Sequence, residues 1–117
     1  METINTDAFK LKVFNFEKNK AWKFEGTRPA IVDFYADWCG PCRALSPILQ
    51  KLAKDYEGKV DIYKIDTEAS PDLAAMFQIR SIPSLLFIPV SGQPTMSAGM
   101  LPESALKETI KEVLGVT

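Results

Sequence analysis

The chain has no histidine and only two cysteines, Cys39 and Cys42. These shortages exclude a good deal. Cys-x-x-Cys is half of many zinc sites, but the other half needs further Cys or His ligands that this sequence lacks. No metal centre is therefore expected. A nucleophilic cysteine activated by a histidine base fails for the same reason. Two cysteines also cannot build a multi-bridge secreted scaffold. Long apolar runs are missing too. Nothing in Met1 to Lys10 reads as a signal peptide, and no later stretch reads as a membrane span. Neither charge dominates, with 14 Lys and Arg against 15 Asp and Glu and a net charge of −1. The basic residues are spread along the chain, so no nucleic-acid partner is expected. A cytoplasmic location without membrane attachment is the expectation.

What is present suits one compact domain, residues 1–117, because 46% of the 117 residues are hydrophobic. The two cysteines stand in Trp38-Cys39-Gly40-Pro41-Cys42, directly after an apolar stretch, Ala30 to Ala36. That stretch reads as a central strand, apolar on both faces as parallel strands are. A helical pattern follows from Cys39 to Tyr56 through Leu45, Ile48, Leu49, Leu52 and Ala53, with Pro47 inside it and Gly58 as its stop. The first thiol thus meets the positive end of a helix dipole, which favours thiolate. Thiolate is the form that attacks disulfides. Two readings of the pair survive: a dithiol that cycles, or one small structural disulfide.

Elsewhere, Phe9, Leu11 and Val13 alternate with Lys10 and Lys12, the pattern of a half-buried strand. A short helix is expected within Asn15 to Phe24. Val60 to Asp66 alternates as a strand. Ser70, Pro71 and Asp72 open a helix to about Phe77, with Ser70 as its cap. Ser84 to Val90 is an apolar strand, residues 91–93 a turn, and Thr95 to Ala98 a short pairing strand. Leu106, Ile110, Val113 and Leu114 mark one face of a last helix that stops at Gly115. Strands that alternate with helices, followed by two adjacent strands and a helix, imply an α/β fold. Its central sheet is mixed and mostly parallel, with helices on both faces.

From Pro29 to Gly115 the chain resembles the thioredoxin family. The resemblance rests on Val32-Asp33-Phe34-Tyr35-Ala36-Asp37 before the dithiol, Arg43 after it, and Pro47. It extends through Lys64-Ile65-Asp66, Ile79-Arg80-Ser81-Ile82-Pro83-Ser84, Gly99 and the closing amphipathic helix. Tyr35 and Ser81 stand where the best-known members carry Trp and Gly, and Ile88 to Pro94 is longer than the usual hairpin. Residues 1–28 form a less typical N-terminal strand and helix segment. The resemblance implies the thioredoxin fold and a thiol–disulfide oxidoreductase that reduces protein disulfides. Its partners would be disulfide-containing proteins and a reductase that recycles it. It would act as a monomer and need no bound cofactor.

Site residues follow the same way. Cys39 is the nucleophile and Cys42 the more covered, resolving thiol, with Gly40 and Pro41 closing the loop between them. Asp33, read from the chain alone, is either a side chain reaching water at the sheet edge or a perturbed carboxylate at a site. The resemblance implies a buried proton acceptor behind Cys42. Lys64 either faces Asp33 or is solvated at a strand end. Pro83 alone reads as an ordinary strand-initiating proline. The resemblance implies a cis Ile82–Pro83 bond that turns the Ile82 backbone toward substrate, with Trp38, Pro41, Ile82 and Gly99 forming a flat apolar surface. Two rival functions are an exported disulfide oxidant or isomerase, and a binding module whose dithiol is vestigial. Gly40-Pro41 and the missing signal segment argue against the first, and the intact site residues against the second.

Overall fold

A computed structural model describes residues 1–117. The elements run β1 (Glu2–Thr3), α1 (Thr6–Lys12), β2 (Ala30–Tyr35), α2 (Gly40–Asp55), β3 (Asp61–Asp66), α3 (Pro71–Met76), β4 (Ser84–Ile88), β5 (Thr95–Ala98) and α4 (Glu103–Leu114). The five strands form one sheet in the order β1-β3-β2-β4-β5. β1 and β2 run parallel to β3. β4 lies antiparallel to both β2 and β5, so it alone opposes the other four strands. This is the mixed, mostly parallel sheet expected above.

β2 lies in the middle, and its side chains alternate between two cores. Ala30, Val32 and Phe34 join Phe9, Val13, Ile65, Leu73 and Leu86 on the face covered by α1 and α3. Ile31 joins Leu45, Leu49, Leu52, Leu85, Phe87, Leu106 and Ile110 on the face covered by α2 and α4. Asp33 and Tyr35 follow Ile31 in this alternation, so both point to the α2 face. Leu45, Leu49 and Leu52 are fully buried. Each contributes about 1.5–3 kcal/mol of transfer free energy, which holds α2 on the sheet.

The strand expected over Phe9 to Val13 is instead helix α1 and its cap. The Asn5 side chain accepts a hydrogen bond from the Ala8 amide at 2.9 Å, and Asp7 sits in the first turn. Capping and dipole therefore favour a helix here. Phe9 and Val13, four residues apart, are buried, while Leu11 is 77% exposed. The apolar spacing is helical once Leu11 is set aside. The short helix expected within Asn15 to Phe24 does not form, since the Asn15 side chain accepts from the Glu17 and Lys18 amides and holds a turn. Ser70 precedes α3 but makes no side-chain capping bond. Its side chain is buried instead. Helix α2 stops at Asp55, ahead of Gly58. α4 ends as expected at Gly115, whose φ of 69° suits a residue without a Cβ. No helix is long and apolar enough to cross a membrane.

Candidate active site at the Cys39–Cys42 pair

Strand β2 ends at Tyr35, and a short bend carries the chain to Cys39, the N-cap of α2. Pro41 occupies the first turn, where its missing N–H removes a donor that would have no helical partner. The two cysteines are joined as a disulfide with their Cα atoms 5.2 Å apart. The Cys42 amide donates to Cys39 Sγ at 3.2 Å. Cys39 Sγ also lies 3.7 Å from the Ile82 carbonyl oxygen. One sulfur thus faces both a helix N-terminus and the segment before β4. The expectation that Cys42 is the more covered of the two is corrected. Both residues are 4% exposed, because the helix start and the Ile82 segment screen Cys39 as well. What separates them is the amide that points at Cys39.

The Ile82–Pro83 bond is cis. Pro83 is buried and Ile82 half-buried, so Ile82 rather than Pro83 meets the surface. The Gly99 amide donates to the Pro83 carbonyl at 2.8 Å, with Gly99 at φ 95°. Gly40 and Pro41 are exposed. Trp38 is 67% exposed and its indole N–H donates to the Glu68 carboxylate. Glu68, in the turn after β3, carried no signal in the sequence, because only the tertiary fold brings it to Trp38.

Asp33 sits on the central strand and is completely buried, not at an edge reaching water. Neither carboxylate oxygen has a hydrogen-bond partner. Burial pushes its pKa up to about 6, against a smaller opposing pull from the Lys64 charge. Lys64 is the direct register partner of Asp33 on β3. No ion pair joins them, and the Lys64 ammonium lies over the Tyr35 ring, 4.2 Å from its centroid. Tyr35, Cys42, Arg43 and Lys64 line an open cavity of about 340 Å³. A larger hollow of about 860 Å³, near Lys12 and Arg28, contains neither cysteine.

Comparison with known proteins agrees with this geometry. Residues 5–112 match the sequence model of the family described as Thioredoxin. The chain is 47% identical over 113 residues to a thioredoxin of Borreliella burgdorferi, covering 97% of each. It is 38% identical over 86 residues to Thioredoxin 1 of a Nostoc species, covering 74% of this chain and 80% of that one. A solved structure of chloroplastic thioredoxin z superposes with a TM-score of 0.81 at 28% identity, covering 97% of this chain and 93% of its own. The sheet order, the disulfide at the head of α2 and a match over nearly all of the chain lead to one conclusion: the chain belongs to the thioredoxin family.

Proposed function

We propose that Cys39 and Cys42 act in a fixed order within this thiol–disulfide oxidoreductase, which reduces disulfides in other proteins. Cys39 thiolate attacks one substrate sulfur. A Cys39–substrate disulfide forms, the substrate S–S bond breaks, and the departing sulfur leaves as thiolate and takes up a proton. Cys42 then gives its proton to Asp33 and attacks Cys39 Sγ. The mixed disulfide breaks, and the second substrate sulfur leaves and is protonated in turn. Substrate gains two electrons and two protons, and the protein ends with the Cys39–Cys42 disulfide. A reductase supplying two electrons returns it to the dithiol. The single observation that carries the order is the Cys42 amide directed at Cys39 Sγ at the N-terminus of α2. It favours negative charge on that sulfur.

Asp33 is the proton acceptor in this reading. A carboxylate held near 6 accepts a proton more readily than an ordinary one, yet remains ionised at neutral pH. Lys64 tunes it through space. Trp38, Gly40, Pro41, Ile82 and Gly99 form the surface that meets substrate, and the Gly99 amide is held by its hydrogen bond to the Pro83 carbonyl. An extended substrate segment would pair with the Ile82 backbone. Residues 1–117 work as one domain and as a monomer. The partners are disulfide-bearing proteins and a reductase, in the cytoplasm. The test is insulin reduction by dithiothreitol followed as turbidity. The protein should accelerate it, and Cys39→Ser should not. Equal rates with and without the protein would reject the reductase reading.

A further inference from the structure

The face of β2 and β3 that points to α2 places two possible partners beside the Lys64 ammonium. Asp33 is directly opposite and Tyr35 is one pleat further along the same face. The ammonium sits on the ring, 4.2 Å from its centroid, a cation–π distance. Asp33 keeps both oxygens without a partner. Lys64 could reach it only by burying its own charge, and an ammonium stripped of water is strongly disfavoured unless other partners replace that water. The ring offers a seat in the open cavity that Tyr35, Cys42 and Lys64 all line, and Lys64 there is only half-buried.

We propose that Tyr35 is a positioning residue for the resolving step: its ring holds the Lys64 ammonium at a fixed stand-off from Asp33 and so sets how readily Asp33 takes the Cys42 proton. The proposal rests on the reading of Asp33 as acceptor. A closer ammonium would pair with the carboxylate and make it a poor base, while one free in solvent would leave it reluctant to ionise. The charges around this arrangement are few. Lys64 and Asp66 face it from β3, Asp37 from the bend after β2, and Arg43 from α2 at the cavity rim. β4 presents only Leu85 opposite Asp33, and α4 contributes Leu106 and Ile110 to that core.

The experiment is a double-mutant cycle read on Asp33 itself. The carboxyl carbon of Asp33 is titrated by NMR in the oxidised protein, where neither cysteine ionises. Tyr35→Phe and Tyr35→Leu are compared in the Lys64 and Lys64→Gln backgrounds. Tyr35→Phe retains the ring and should leave the midpoint in place. Tyr35→Leu should raise it by roughly half a pH unit, because the released ammonium moves into water. With Lys64→Gln already present, Tyr35→Leu should add nothing. An equal shift in both backgrounds would mean that the ring acts by excluding water and would overturn the proposal, as would no shift in either. The pH profile of mixed-disulfide release, followed in the reduced proteins, should move with the midpoint. A midpoint that moves as expected while the release profile stays put would overturn Asp33 as the acceptor but leave the Tyr35–Lys64 arrangement intact.

Discussion

The Cys42 amide points at Cys39 Sγ from 3.2 Å, so the first sulfur of the pair caps the helix that carries the second. The relation is asymmetric, since Cys42 lies inside the first turn and its sulfur caps nothing. Cys39 in the reduced protein should therefore react with iodoacetamide about tenfold faster than Cys42 near neutral pH. Mass spectrometry of peptides alkylated across a pH series measures both rates. Faster labelling of Cys42 would reverse the assigned order.

Asp33 makes the protein's stability depend on pH. Its folded-state value is about 6, against an ordinary value of 3.8, so between those limits the folded protein holds a proton that the unfolded chain releases. Stability contributed by this residue is thus complete below about pH 4, falls as pH rises toward 6, and stays low above it. A rise from 3.8 to about 6 corresponds to about 3 kcal/mol. Asp33→Asn should be more stable than the parent by about that amount at pH 7.5 and nearly equal to it at pH 4. Denaturant melts at the two pH values check the difference, and a gain of the same size at both would remove the titration argument.

The same carboxylate should matter to the second chemical step and little to the first. Asp33→Asn should slow mixed-disulfide release roughly 100-fold at pH 7, with initial attack almost unchanged. In the parent, release should slow as pH drops through about 6, where Asp33 becomes protonated. Stopped-flow fluorescence of Trp38, which lies next to Cys39, follows both phases. Equal slowing of the two would point to a general disturbance of the site.

The cap on α1 gives a prediction of a different kind. Asn5→Ala removes the side-chain acceptor of the Ala8 amide. It should cost about 1 kcal/mol in a urea melt and leave insulin reduction unchanged, since α1 packs on the face opposite α2. An unchanged melt would mean that packing of Phe9 and Val13 alone holds this helix.

The ease of reading each element from the chain tracks how local its cause is. Strand β2, helix α2 and helix α4 carry long apolar patterns with clear ends, and they form close to where the pattern places them. α1 misled because Leu11 is exposed, so three alternating apolar residues mimicked a strand over a stretch too short to show a period of 3.6. The dithiol and Asp33 stood out because each breaks a local rule, a reactive pair after a strand and a carboxylate in an apolar run. Equal coverage of the two cysteines was not legible, because the Ile82 segment arrives from 43 residues away. The Trp38–Glu68 hydrogen bond and the seating of Lys64 on Tyr35 likewise depend on how neighbouring strands and turns meet in space.

The order of the two cysteines is the centre of this account, and trapping tests it most directly. Cys42→Ser keeps the sulfur that attacks and lacks the one that resolves. Incubated with oxidised insulin and no added thiol, it should accumulate as a stable one-to-one mixed disulfide through Cys39, visible by intact mass. Cys39→Ser should form none. Release of reduced insulin by Cys42→Ser at the parent rate, or an equal adduct through Cys42 in Cys39→Ser, would contradict the mechanism.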